Sequence, residues 1–110
     1  PATLKNSRWH LLQATLDLYW GVIDSAHAAL MSIGEIPPSP GHVAKMMEEK
    51  LVKTKLIRPQ YVETMEKFYN LSKMIVHRQL QIVKGKDYEL YYKEAEEFIE
   101  VMRRLIEKKF

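Results

Sequence analysis

From Tyr88 to Ile106, apolar side chains recur at steps of three, one, three, three, one, three, three and one: Tyr88, Tyr91, Tyr92, Ala95, Phe98, Ile99, Met102, Leu105 and Ile106. A helix turning every 3.6 residues brings positions so spaced onto one side, whereas a strand would scatter them over both faces. A helix with one apolar stripe has to bury it against other elements, so this segment commits the chain to helix-on-helix packing. Acidic Glu89, Glu94, Glu96 and Glu97 come early, and basic Arg103, Arg104, Lys108 and Lys109 come late. The helix dipole favours that order.

The same period runs through residues 4–33, with Leu4, Leu11, Leu12, Leu16, Leu18, Tyr19, Val22, Ile23, Ala26, Ala29, Leu30 and Ile33 in a broad stripe. Gly21 weakens this helix by about 1 kcal/mol relative to alanine, but no proline interrupts it. Gly34, Pro37, Pro38, Pro40 and Gly41 end it in a loop. Ser39 before Pro40 reads as an N-cap with proline in the first turn, opening a short helix over 41–54 with Val43, Met46, Met47 and Leu51 inward. Pro59 biases Arg58 away from helical angles and starts a third helix, expected over 59–83, with Val62, Met65, Phe68, Tyr69, Ile75 and Val76 on its buried side. Gly85 is its expected stop and Asp87 the expected N-cap of the last helix. No strand alternation or internal repeat is present. The fold class is therefore all-α: an antiparallel up-and-down helical bundle of three long helices and one short helix.

At 110 residues, the chain 1–110 fits one helical domain with one core. It has no cysteine, which excludes disulfides and thiolate zinc sites and suits a reducing cytosol. No apolar run is long enough to span a membrane, and residues 1–7 carry no signal-peptide segment. The expectation is a soluble, cytoplasmic protein without membrane contact. Pro1 suits either a removed initiator methionine or the cut end of a longer chain. The net charge of +3 and pI near 9.1 come from lysines interleaved with glutamates, a pattern that permits nucleic-acid contact and equally describes a solvated, ion-paired surface.

Chemistry is hinted at in NLSKMIVHR, residues 70–78. Stepping by three and four residues from His77 gives Glu66, Asn70, Lys73, His77, Gln81 and Lys84, so His77 lies on a polar stripe one turn from Lys73 and two from Asn70. A histidine beside a cation and an amide can perform acid/base work on a phosphodiester while the cation stabilises developing charge. A solvated face carrying an ordinary histidine has the same spacing. On the first helix, Trp20, Asp24 and His27 share a face, where Asp24 can orient His27, the two can line a cleft against the third helix, or the pair can cap a polar edge of the core. Tyr88, Tyr91 and Tyr92 could stack a base, but they fall on the stripe that closes the bundle. His10, His27, His42 and His77 sit on separate segments without metal-ligand spacing, and there is no glycine-rich phosphate loop or nucleophile elbow. Neither a metal nor a cofactor is expected.

The order of these parts resembles the HEPN domains of prokaryotes. It has a long first helix with an aromatic and polar middle, a proline-rich turn into a short helix, a third helix ending in IVHR (75–78), and a last helix of YYKEAEEFI type (91–99). The resemblance covers about Leu16 to Ile106. It implies a homodimer, since in that family an arginine, four to six residues and then a histidine on the third helix meet their copies across a two-fold cleft and cut RNA without metal. His77 matches the histidine. The arginine has no match, because Asn70, Leu71 and Ser72 occupy the positions with that spacing and the nearest cation, Lys73, is one residue too close. Lysine also lacks the planar fork that grips phosphate.

The resemblance thus implies a dimeric module, a partner or substrate-binding component of a nucleotidyltransferase. It would touch nucleotide or RNA through Lys73, His77 and Asn70, with Arg78, Asp24 and His27 as further binding candidates. Two alternatives stay open. One is a metal-independent RNA-cleaving toxin in which His77 is catalytic and Lys73 replaces the arginine. The other is a purely structural assembly domain whose polar stripe faces solvent.

Overall fold

A computed structural model describes the backbone of residues 2–80 and 82–109, and the side chains of 10–80 and 82–108. Leu4, at the start of the expected apolar stripe, and Gln81, on the expected polar stripe, lie outside the described side chains. The described residues are helical with no strand: α1 over Ala2–Ser32, a 3-10 turn over Pro40–His42, α2 over Val43–Met47 continued by a π-helical turn over Glu48–Val52, α3 over Gln60–Val76, and α4 over Gly85–Lys109. Among them no helix is long and apolar enough to cross a membrane.

The apolar stripes meet in one core. From α1 it takes Tyr19, Val22, Ile23, Ala26, Ala29 and Leu30, from the short helical segment Val43, Met47 and Leu51, and from α4 Ala95, Phe98, Met102 and Leu105. Ala26 and Ala29 are fully buried, and their small side chains let neighbouring helices come close. Gly21 serves the same end, because a Cβ there would stand 3.2 Å from Ile99 Cδ1 of α4. The buried Thr15 returns its hydroxyl to the Leu11 carbonyl at 2.7 Å, so its burial leaves no orphaned donor.

Helices α3 and α4 run antiparallel where their rings meet. Tyr61 packs edge-on against Phe98 with centroids 6.3 Å apart, and Phe68 packs edge-on against Tyr91 at 6.2 Å, so advancing along α3 means retreating along α4. Such geometry contributes about 0.5–1.5 kcal/mol per pair beyond burial. On the exposed edge of this contact Lys67 reaches Glu94 at 2.7 Å, and Tyr61 donates its hydroxyl to Glu97 at 3.0 Å.

Three helical segments end in one hydrogen-bond pattern. After α1, Glu35 N–H reaches the Leu30 carbonyl and Gly34 N–H the Met31 carbonyl, with Gly34 at φ +86°. After the π turn, Leu56 bonds to Leu51 and Lys55 to Val52, with Lys55 at φ +63°. After α3, Gln79 bonds to Met74 and Arg78 to Ile75, with Arg78 at φ +59°. This is the Schellman closure, whose left-handed residue is usually glycine because a Cβ is crowded there. Here two of the three positions carry long cations.

The third closure corrects the sequence reading. α3 stops at Val76 instead of continuing through 83, and Gly85 opens α4 instead of stopping α3, which leaves Asp87 in the first turn of α4 and not at its N-cap. The buried side also shifts. Tyr61, Leu71 and Ser72 are buried with Val62, Met65 and Phe68, whereas Tyr69 and Ile75 are half-buried and Val76 is 66% exposed. In α4, Tyr92 of the expected stripe is exposed as well.

Candidate functional site

The residues singled out by sequence cluster only in part. Asn70 and Lys73 project from the exposed side of α3 with Glu66, and His77 follows as the exposed C-cap residue, its N–H bonded to the Lys73 carbonyl at 2.9 Å. The His77 ring makes no hydrogen bond or ion pair with any described residue. Lys84 lies beyond the helix end, so the polar stripe closes at His77. The Lys73 ammonium stands 5.4 Å from the centroid of the Tyr69 ring, within cation–π range, which ties the cation to the aromatic wall beside it.

That wall belongs to a groove of about 420 Å³ between α1, the Pro40–His42 turn and α3. Tyr19, Trp20 and Tyr69 give it aromatic sides, Leu16 and Val76 an apolar mouth, and Ser39, His42 and Ser72 polar points. Gly41 lets the turn come close to Tyr69, since a Cβ there would sit 3.0 Å from the Tyr69 hydroxyl, which would have to give way slightly. Ser39 Oγ and His42 Nδ1 are 2.9 Å apart, which holds the imidazole at the groove. Ser72 donates to the Tyr69 carbonyl at 2.6 Å. Burial pushes the Tyr19 hydroxyl's pKa above its ordinary value, with Ser72 opposing the shift and the proximity of Tyr69 and Asp24 adding to it. Tyr19 therefore stays a neutral donor, and the walls of the groove are mainly aromatic, with Lys73 at its edge.

Leu16 and Val76 also border a second hollow, of about 540 Å³, formed with Leu12, Gln13, Ile75, Arg78 and Leu80. The two hollows make one apolar face in which Trp20 is 55% exposed and Val76 66%. Asn70 opens the other way, lining a smaller recess with Lys45 and Glu66.

His27 does not join this cluster, and Asp24, one turn beyond Trp20, stands near Tyr19 without lining the groove. Leu16 faces Val76 across the groove, and His27 lies eleven residues further along α1, a rise of roughly 16 Å. Asp24 is exposed, His27 half-buried, and no hydrogen bond links them. His27 Nε2 is buried and has no hydrogen-bond partner among the described residues. Among those residues no group of three or more His, Asp or Glu side chains is placed to hold a metal ion.

Sequence reasoning missed His42 and Ser39 as groove residues and the exposure of Val76. Trp20, placed by its spacing on one face with Asp24, is exposed as Asp24 is. The chain matches no family model, no curated protein and no solved structure, so its reading rests on its own residues and geometry.

Proposed function

We propose that this chain is a HEPN-type helical module with an antiparallel up-and-down arrangement of three long helices and one short one. It pairs with a second copy through the face of Leu16, Trp20 and Val76 and serves as a binding component of a nucleotidyltransferase system. The observation that carries the reading is this apolar face, because single folded chains seldom leave a tryptophan and a neighbouring β-branched residue open together unless the face is used. Pairing there would bring the two Lys73–His77 segments near each other and cover the aromatic groove. Lys73, Asn70 and His77, with Arg78 close by, would then contact a phosphate-bearing strand or nucleotide.

A binding role is favoured over RNA cleavage by the surroundings of His77. A general base works best when another group orients its ring, yet the described partners of His77 are confined to its backbone. The cation one turn away is a lysine already leaning on Tyr69. The test is incubation of the purified protein with RNA in the presence of a chelator. Intact RNA, together with binding to a nucleotidyltransferase whose gene is adjacent, is expected. Cleavage that disappears in His77→Ala while the helical spectrum is retained would instead establish the nuclease. Intact RNA with no capture would leave the structural-assembly reading.

A further inference from the structure

Between the close of α1 and the Pro40–His42 turn the chain runs Glu35, Ile36, Pro37, Pro38, Ser39, Pro40. Each proline fixes its own φ at about −65° and biases the residue before it toward extended angles, which covers Ile36, Pro37 and Ser39. Ser39 stands at φ −58° and ψ 154°, close to the polyproline II values of about −75° and +145°.

The segment is held at both ends. Glu35 N–H reaches the Leu30 carbonyl at 3.0 Å and its carboxylate pairs with Lys50 at 3.6 Å, while His42 N–H reaches the Ser39 carbonyl at 2.9 Å. Between these anchors Ile36, Pro37 and Pro38 form no backbone hydrogen bond with any described residue. A polyproline II strand has that property, since its polar groups face outward. Stopping a helix needs a proline and nothing more, but here an outer edge is left bare as well. Ile36 is 84% exposed, Ser39 and Pro40 are exposed, and Pro37 and Pro38 are half-buried. With three residues per turn, Ile36 and Ser39 fall on one edge and Pro37 and Pro40 on the next, each pair roughly 9 Å apart.

We infer that residues 36–40 are a docking strap for a partner protein whose groove is lined by aromatic rings and bordered by carboxylates. Such grooves seat a preformed polyproline II strand, and the units offered here are Ile36-Pro37 and Ser39-Pro40. Lys45 calls for the carboxylates. It is exposed, lines one recess with Pro40, and forms no ion pair with any described residue, Glu66 of that recess included. Because both ends of the strap are already fixed, docking freezes little further backbone. The inference does not rest on pairing, since Ile36, Pro37 and Pro38 line neither hollow of the pairing face.

Amide NMR spectra of the full chain, titrated with an SH3 domain that carries an acidic patch beside its aromatic groove, test it. Shifts are expected at Glu35, Ile36, Ser39, Gly41 and Lys45, with a Kd of roughly 1 mM or tighter. Pro37→Ala, which frees φ, and Ile36→Ser, which removes the exposed apolar group, should each weaken binding about fivefold or more. Lys45→Gln should weaken it about twofold at low salt and less at high salt. Lys93→Gln, an exposed charge on α4, should leave it unchanged. Ile36→Ser should keep the unfolding midpoint of the unmodified chain, which separates lost docking from lost folding. Four results would each overturn the assignment: no shifts with the SH3 domain at millimolar concentration, shifts only outside residues 35–45, binding that survives both Pro37→Ala and Ile36→Ser, or a shift at Ile36 when the chain alone is diluted, which would seat the strap on a second copy.

Discussion

The two ends of α3 are built from the same kinds of element and present opposite chemistry. Near Val76, the helix ends beside exposed aromatic and aliphatic side chains, with one lysine held against a tyrosine. Near Tyr61, it starts beside a groove lined by four cations, Lys55, Arg58, Arg104 and Lys108, over a floor that is nearly closed to solvent. Each end is bordered by a Schellman turn whose left-handed residue is a cation, Arg78 at one and Lys55 at the other. An apolar surface with little charge suits another protein surface, and a concentrated positive charge with an apolar base suits a small anion.

The comparison breaks most readily at the apolar end. If that face pairs, Trp20→Ser should weaken self-association by about 2–4 kcal/mol, a factor of thirty or more in the dimer constant, because buried tryptophans dominate such interfaces. Analytical ultracentrifugation would register this as conversion to monomer, with the unfolding midpoint of the monomer nearly unchanged because Trp20 lies outside the core.

Tyr61 tests the cationic end. Removing its hydroxyl bond to Glu97 with Tyr61→Phe should cost about 1 kcal/mol in denaturant unfolding. Burial, then the contact with Glu97, raises the Tyr61 pKa above its ordinary 10.0. A group whose folded pKa is raised contributes stability below the unfolded pKa and loses that contribution as pH rises through the folded value. Stability should therefore fall above about pH 10, and the fall should be shallower in Tyr61→Phe.

The left-handed positions separate geometry from charge. Lys55→Gly should stabilise the fold by up to about 1 kcal/mol by relieving the crowded Cβ. Arg78→Gly should stabilise by a similar amount for the same reason. Gly34→Lys at the matching turn should destabilise by about 1 kcal/mol. Thermal unfolding of the three variants gives the order directly. The smallest effect lies between the ends, where Lys67→Ala breaks an exposed pair with Glu94 and should cost about 0.5 kcal/mol or less.

How far the sequence carried is clearest at these same places. The stripes of α1 and α4 and the inward Val43, Met47 and Leu51 were legible because helical period alone decides which side faces in. The end of α3 was not. Its stop is an arginine in the conformation that sequence reading assigns to glycine, and the next glycine, Gly85, drew the boundary seven residues too late. Val76 reads as buried because it is apolar and adjoins Ile75 on the expected inward side, yet it is 66% exposed. The cationic groove was hidden for a different reason. Lys55 and Arg58 lie some fifty residues from Arg104 and Lys108, and along the chain their charges mix with glutamates, so only the antiparallel return of α4 beside α3 gathers them.

The pairing face is the part of this account on which the functional proposal depends. Sedimentation equilibrium of the unmodified chain at micromolar concentration, beside Trp20→Ser, measures it directly. The account predicts a two-copy mass for the former and a one-copy mass for the latter. A one-copy mass for the unmodified chain, or a dimer indifferent to the loss of Trp20, would contradict it.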